Sequence, residues 1–180
     1  MNLTKFIQKY SIPNVISISR LFIAIYLYFQ IEYTSINPIT LIVIVSLIGL
    51  SDALDGFLAR KYNAVTNLGT IIDPFVDRAV FLILIIWLRP ILANIFFWGI
   101  VIRDICVLLG SIFILKKEKT IKVSNMGKFT TVFLFVTICF YILSMNINLG
   151  ILLNIFAYSS LLMYYFVALE YLYKQVLFSE

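Results

Sequence analysis

Apolar residues run along this chain in six segments of roughly 20 residues, each long enough to cross the hydrocarbon core of a bilayer as an α-helix. Polar and charged residues are concentrated between these segments. The pattern therefore predicts an all-α membrane protein with six transmembrane helices, over Pro13–Ile31, Ile39–Arg60, Gly69–Leu88, Ile91–Leu115, Gly127–Met145 and Leu149–Tyr173.

The first 11 residues show a different pattern. Leu3, Phe6, Ile7 and Tyr10 recur at helical spacing, with polar residues between them. This spacing predicts an amphipathic helix over residues 1–11 that lies on the membrane surface, and a frayed segment is the alternative. Residues 12–180 then form one domain of six helices.

Composition and charge agree with a membrane protein. Hydrophobic residues make up 62% of the chain, and the net charge is +5. The basic residues lie mostly at the ends of the apolar segments, so they do not form the basic face that a nucleic acid would need. The linkers rich in Lys and Arg all fall on one side, which predicts a multi-pass protein of the cell (inner) membrane with both termini in the cytoplasm.

Four of the nine acidic residues lie in one short window: Asp52, Asp55, Asp73 and Asp77. A carboxylate inside a bilayer costs at least a few kcal/mol, so it persists where it is paired, metal-bound or functional. Asp52 precedes the cytoplasmic end of the second segment by eight residues, and Asp77 follows the start of the third by eight. Both lie about 12 Å along a helix from the same membrane face, at matching depth.

The spacing also places the aspartates on facing stripes. Asp52 and Asp55 share one helix face, and so do Asp73 and Asp77, through i+3 and i+4 spacing. Carboxylates that converge without a counter-charge repel one another, and hard divalent cations relieve this repulsion. Mg²⁺ or Mn²⁺ fits an all-carboxylate set. The alternative is a group of solvated aspartates at the interface, paired with neighbouring basic residues.

The window reads D-x2-D-G-x2-A-R-x8-G-x3-D-x3-D and resembles, at every fixed position, the signature of the CDP-alcohol phosphatidyltransferase family. The resemblance implies that Asp52, Asp55 and Asp73 hold two divalent ions, with Asp77 sharing a metal. It also implies that Asp77 takes the proton of the acceptor hydroxyl, and that the protein is a homodimer. The positions that accommodate the cytidine and diphosphate are, by the same resemblance, Gly56, Ala59, Arg60 and Gly69.

Independently of the resemblance, the chain contains no histidine. The usual base at neutral pH is therefore absent, and a carboxylate is the natural candidate. Small residues between the aspartates leave room for a ligand or for close helix packing.

Basic residues outside the window are candidates for binding an acceptor phosphate. Segments around Arg20 and Lys128 are similar to those of phosphatidylglycerophosphate synthases and cardiolipin synthases, and Arg103 lies mid-way along the fourth segment. We predict that these three cations bind the phosphate of the acceptor. There are two alternatives. Lys128 is one of the basic residues that commonly flank a membrane segment on its cytoplasmic side, or Arg103 forms an ion pair with Asp104 or with an acid on another helix.

The predicted function is transfer of a phosphatidyl group from CDP-diacylglycerol to glycerol 3-phosphate, giving phosphatidylglycerophosphate and CMP in phospholipid biosynthesis. A cardiolipin synthase that uses phosphatidylglycerol is one alternative, because Arg78 and Asp104 resemble that subfamily, and another CDP-alcohol phosphatidyltransferase is the other. A transporter or a structural subunit is disfavoured. The acidic residues other than mid-segment Asp104 cluster near one face and trace no conduction path, and a structural subunit would not need glycines among them.

Overall fold

The chain is all-helical in the residues that the computed structural model describes, which are 12–61, 67–116 and 125–173. Side chains are described for residues 18–51, 75–109, 126–170 and 173. These ranges contain no β-strand. They form six α-helices: α1 (Ile12–Gln30), α2 (Pro38–Lys61), α3 (Asn67–Trp87), α4 (Asn94–Lys116), α5 (Asn125–Leu143) and α6 (Gly150–Leu172).

The helices fall on the six predicted segments, with ends that agree within three residues. The largest shift is at the start of α4, where Pro90 lies in a short 3₁₀ turn over Arg89–Ile91, so the helix begins only at Asn94. The surface helix predicted over residues 1–11 lies outside the described residues.

Local chemistry explains where α2 and α6 begin. The Asn37 side-chain oxygen accepts the backbone N–H of Ile39 at 2.9 Å, and Pro38 occupies the first helical position, where its missing N–H costs nothing. Gly150 opens α6 with φ of 44°, a left-handed conformation that glycine adopts without strain. These residues fix the short connections before the second and sixth helices.

The first of two compact units runs to Leu88 and holds α1, α2 and α3. In it α1 packs against both α2 and α3. Among its described side chains, the buried ones are apolar apart from Arg20, and they include Ala24, Leu41 and Val80. At one end, the Trp87 indole N–H donates to the Ile31 carbonyl at 2.8 Å, which satisfies a carbonyl that the end of α1 leaves open.

The second unit begins at Arg89 and holds α4, α5 and α6. Here α6 packs against both α4 and α5. Gly99 permits a close approach of α4 and α6, since a Cβ atom at this position would lie 2.8 Å from a methyl group of Leu161. Next to this contact the Phe96 and Tyr141 rings pack with their centroids 4.9 Å apart.

Large apolar side chains remain exposed on several helices. Phe29, Ile151 and Leu162 each expose more than 70% of their surface. Extensive exposed apolar surface of this kind marks a protein or membrane contact. Among the described residues, two helical stretches are long and apolar enough to cross a membrane, Met126–Leu143 and Gly150–Glu170. Shorter apolar stretches occur at Ile18–Gln30 and Pro38–Ser51.

Candidate active site

The aspartate window occupies the end of α2 and the beginning of α3. Both helices are continuous through it, so Asp52 and Asp55 share a face of α2, and Asp73 and Asp77 share a face of α3. Of the four side chains, that of Asp77 is described. The other three aspartates lie outside the described side chains, and so do the predicted cytidine-diphosphate positions Gly56, Ala59, Arg60 and Gly69. Their convergence stays a prediction.

Asp77 forms an ion pair with Arg20 across the contact between α3 and α1. The Arg20 Nη2 atom donates to the Asp77 carboxylate at 3.1 Å. Arg20 is buried, with 5% of its side chain exposed, whereas Asp77 exposes 37%. A buried guanidinium needs a counter-charge, and Asp77 supplies it. Arg20, which the sequence suggested as an acceptor-phosphate residue, therefore lies directly against the predicted base.

The carboxylate of Asp77 fits the metal that the aspartate pattern implies. This residue presents a partly exposed carboxylate, the oxygen donor that Mg²⁺ and Mn²⁺ prefer. Among the described side chains no group of three or more His, Cys, Asp or Glu residues forms a metal site. This is expected, because the other three predicted ligands are not in that set.

The second unit holds a buried charged cluster on α4. The Arg103 Nη1 atom donates to the Asp104 carboxylate at 2.9 Å, and Asp104 is fully buried. The interpretation that Arg103 pairs with Asp104 is therefore confirmed. A third member comes from α6, because the Tyr164 hydroxyl donates to the same carboxylate oxygen at 2.6 Å.

Lys128 lies in the first turn of α5 and is exposed. A cation is unfavourable there, because the N-terminal end of a helix carries a partial positive charge. Together with the partial positive charge of that helix end, the ammonium group makes an end suited to an anion. Arg20 belongs to the first unit, and Arg103 and Lys128 belong to the second. That the three cations share one pocket stays a prediction.

Comparison with known proteins decides the family. The model of the CDP-alcohol phosphatidyltransferase family matches residues 10–172, which is most of the chain. The chain belongs to the CDP-alcohol phosphatidyltransferase family. It is a transferase of phospholipid biosynthesis, and its apolar helices are those of a membrane protein.

Individual relatives of this CDP-alcohol phosphatidyltransferase carry more than one kind of name. The chain is 38% identical to the CDP-diacylglycerol–glycerol-3-phosphate 3-phosphatidyltransferase of Aquifex aeolicus, over 68% of this chain and 70% of that protein. It is 25% identical to the protein of that name from Cereibacter sphaeroides, over 69% of this chain and 59% of the relative. A CMP-forming cardiolipin synthase of Streptomyces coelicolor is 35% identical, over 38% of this chain and 34% of the relative.

Tyr164 is the residue of these clusters that sequence reasoning missed. It lies 60 residues from Asp104 in an apolar helix rich in tyrosine, where nothing in the local pattern distinguishes it. The signal that points to it is Asp104, an acid in the middle of an apolar segment, because a buried carboxylate requires hydrogen-bond donors and a tyrosine is one of the few donors compatible with apolar surroundings.

Proposed function

We propose that this CDP-alcohol phosphatidyltransferase transfers the phosphatidyl group of CDP-diacylglycerol to glycerol 3-phosphate, giving phosphatidylglycerophosphate and CMP. The observation that carries the proposal is the complete eight-residue pattern on α2 and α3. A relative whose name carries that activity supports the proposal as well, at 38% identity over 68% of the chain. In the reaction an acceptor hydroxyl oxygen bonds to the phosphatidyl phosphorus, the bond to CMP breaks, and the hydroxyl proton leaves to a base.

The four aspartates are the proposed holders of two divalent ions, Mg²⁺ or Mn²⁺. Such ions neutralise a diphosphate and stabilise the leaving phosphate. The proposal is supported by an oxygen-only donor set on two helices and by the partly exposed carboxylate of Asp77. Gly56, Ala59, Arg60 and Gly69 would line the space for cytidine and diphosphate.

Asp77 is the proposed base for the acceptor hydroxyl. It lies at the end of the pattern nearest the centre of α3, and in a chain without histidine a carboxylate takes this role. The contact with Arg20 supports the assignment in a second way. A guanidinium at 3.1 Å holds the carboxylate in one orientation and brings a cation beside the place where an anionic acceptor would approach.

Arg103 and Lys128, with Arg20, are the proposed ligands of the acceptor phosphate. Arg103 is buried, and its Nε atom has no hydrogen-bond partner among the described residues. A buried donor of this kind is costly unless a ligand uses it. A phosphate oxygen is a suitable acceptor for it, and Lys128 lies at a helix end suited to an anion.

Phosphatidylglycerol is the second candidate acceptor, which would make the protein a cardiolipin synthase. Asp104 in place of the glutamate common in phosphatidylglycerophosphate synthases, and Arg78 in place of their lysine, favour it. So does the similarity to the Streptomyces coelicolor enzyme, although the matched region is shorter. We place glycerol 3-phosphate first because the longer matches carry that name.

In the cell, all six helices are proposed to cross the inner membrane, with both termini and the aspartates on the cytoplasmic side. The distribution of Lys and Arg in the linkers supports this orientation. Membrane lipids would surround the exposed apolar side chains, and the working form is proposed to be a homodimer. Each of these statements extends the membrane character that the apolar helices give.

The test uses purified full-length protein with CDP-diacylglycerol, Mg²⁺ and one acceptor at a time. We expect CMP release with glycerol 3-phosphate and none with phosphatidylglycerol or inositol phosphate. EDTA should abolish the release, and Mg²⁺ or Mn²⁺ should restore it. CMP release with phosphatidylglycerol alone would show that the protein is a cardiolipin synthase. If no acceptor gives CMP release, the proposed transferase reaction is wrong and the transporter alternative has to be considered again.

The role of Asp77 has its own test. Asp77→Asn keeps the size of the side chain but removes the base, so we expect CMP release to fall by about 100-fold or more. Binding of CDP-diacylglycerol, measured by its protection of the protein against thermal unfolding, should persist. A matched control is Glu170→Gln, an acid of α6 outside the pattern, which should retain activity. Near-normal CMP release from Asp77→Asn would remove Asp77 from the mechanism.

A further inference from the structure

Arg103 and Asp104 form an ion pair that their own helix does not favour. Adjacent residues point about 100° apart around an α-helix, so neighbours at i and i+1 do not ordinarily face each other. Here the Arg103 Nη1 atom nevertheless donates to Asp104 at 2.9 Å, with both side chains buried. Something outside α4 must hold the two groups together.

Tyr164 on α6 contacts both members of the pair. Its hydroxyl donates to the Asp104 carboxylate at 2.6 Å, and its ring lies under the Arg103 guanidinium, 3.9 Å from the ring centroid. The aromatic face attracts the cation, while the hydroxyl fixes the carboxylate. Tyr164 is itself buried, with 3% of its surface exposed, so these contacts are sheltered from water.

The shared carboxylate oxygen has a consequence for Arg103. Asp104 Oδ1 accepts from both the Tyr164 hydroxyl and Arg103 Nη1, so the guanidinium is held by one nitrogen and by its face. The two-pronged pairing that Arg and a carboxylate usually prefer is not used. The Arg103 Nε–H is consequently left as a buried donor without a partner among the described residues.

We infer that Tyr164 is a positioning residue for acceptor binding: it holds the Arg103 guanidinium in the orientation in which the Nε–H side of the guanidinium meets the phosphate of the acceptor. The inference rests on the proposed function, in which Arg103 binds that phosphate. Without the hydroxyl, the Asp104 carboxylate would lose this short hydrogen bond and could accept from two nitrogens of Arg103, which would turn the guanidinium edge away from the ligand. The ligand class concerned is a phosphate ester of a small alcohol.

The experiment compares Tyr164→Phe with Tyr165→Phe in the purified full-length protein. Tyr165 is a matched control, because it is the next residue on α6 and its hydroxyl donates to the Gly99 carbonyl at 2.9 Å. We measure the KM for glycerol 3-phosphate, the KM for CDP-diacylglycerol, kcat and thermal stability. Tyr164→Phe should raise the KM for glycerol 3-phosphate roughly tenfold, the size expected for a hydrogen bond to a charged group. The other three quantities should change little.

Tyr165→Phe should leave both KM values unchanged. If Tyr164→Phe raises the KM for glycerol 3-phosphate by less than twofold, the inference is overturned. A loss of stability in which both KM values rise together would overturn it as well, because a merely structural tyrosine would act that way. If Tyr164→Phe does not yield folded protein, the KM for glycerol 3-phosphate of the Asp104→Asn variant tests the inference instead. This substitution removes the carboxylate charge that holds Arg103 and should raise the same KM, and an unchanged KM would overturn the inference.

Arg103→Lys separates this inference from the proposed function. Lysine keeps the charge but loses the planar edge, so the KM for glycerol 3-phosphate should rise. If Arg103→Lys has no effect, Arg103 does not bind the acceptor and the proposed role fails together with that of Tyr164. If Arg103→Lys raises the KM and Tyr164→Phe does not, the role of Tyr164 alone is wrong.

Discussion

At the scale of single residues, the ion pair between Arg20 and Asp77 links the first helix to the aspartate pattern. The two groups meet at 3.1 Å, one buried and the other partly exposed. Inside a membrane domain this pairing lets a carboxylate and a guanidinium coexist without the cost of two isolated charges. It also means that α1, which carries no aspartate, contacts the proposed site through Arg20.

Arg20→Ala tests this link. Removing one partner of a fully buried ion pair costs about 3–5 kcal/mol, and we expect about 1–2 kcal/mol here because water reaches Asp77. The measurement is thermal or denaturant unfolding of the purified protein in EDTA.

The control for Arg20→Ala is the same substitution in an Asp77→Asn background. Asparagine carries no negative charge for Arg20 to pair with, so Arg20→Ala should lower the free energy of unfolding by less in the Asp77→Asn background. An equal cost in both backgrounds would show that the two charges do not stabilise each other, and that burial of the arginine stem explains the effect.

At the scale of helices, the close contact of α4 with α6 depends on one small residue. A Cβ atom at Gly99 would lie 2.8 Å from a Leu161 methyl group. Tyr165 bonds the Gly99 carbonyl, and Tyr164 reaches the Asp104 carboxylate one turn further along α4. The spacing of the two helices therefore sets whether Tyr164 can hold the charged pair.

Gly99→Ala should push the two helices apart or force Leu161 to another rotamer. The cost expected for such overpacking is about 1 kcal/mol, at the low end of its range because the colliding atom is the end of a flexible side chain. Gly49→Ala on α2 is the matched control, since a Cβ there would meet no atom within 4 Å. If unfolding measurements give the two variants the same stability, the contact does not limit the packing.

The helices themselves could be predicted from the sequence, and the reason is physical. The thickness of the bilayer fixes the length of an apolar run, and charged linkers mark its ends, so the six segments agree with the observed helices within three residues. The start of α4 shifts because Pro90 forms a turn of its own. Helix ends of this kind depend on local hydrogen bonds that hydropathy does not record.

The partners of the charged residues could not be predicted to the same degree. Arg20 is one of several basic residues, and its contact with Asp77 spans 57 positions in the chain. The sequence left open two partners for Arg103, and the contact with Asp104 depends on a tyrosine 60 residues away. Such pairings are set by the way helices pack, which depends on many weak contacts at once.

At the scale of the whole molecule, the proposed six membrane crossings would place the two ends of the chain on one side. In a background in which Cys106 and Cys139 are replaced by alanine, a membrane-impermeant maleimide should label Ser35→Cys and Asn146→Cys in intact cells. These positions follow α1 and α5. Lys119→Cys, in the basic linker, should be labelled only after the cells are opened. Labelling in the reverse pattern would invert the orientation.

The acceptor is the central claim, and a competition reaction tests it most directly. Purified protein receives CDP-diacylglycerol, Mg²⁺ and equal concentrations of glycerol 3-phosphate and phosphatidylglycerol, and the lipid products are identified by mass. The account predicts phosphatidylglycerophosphate and CMP in equal amounts, with no cardiolipin. Cardiolipin as the main product, or CMP without either lipid, would contradict it.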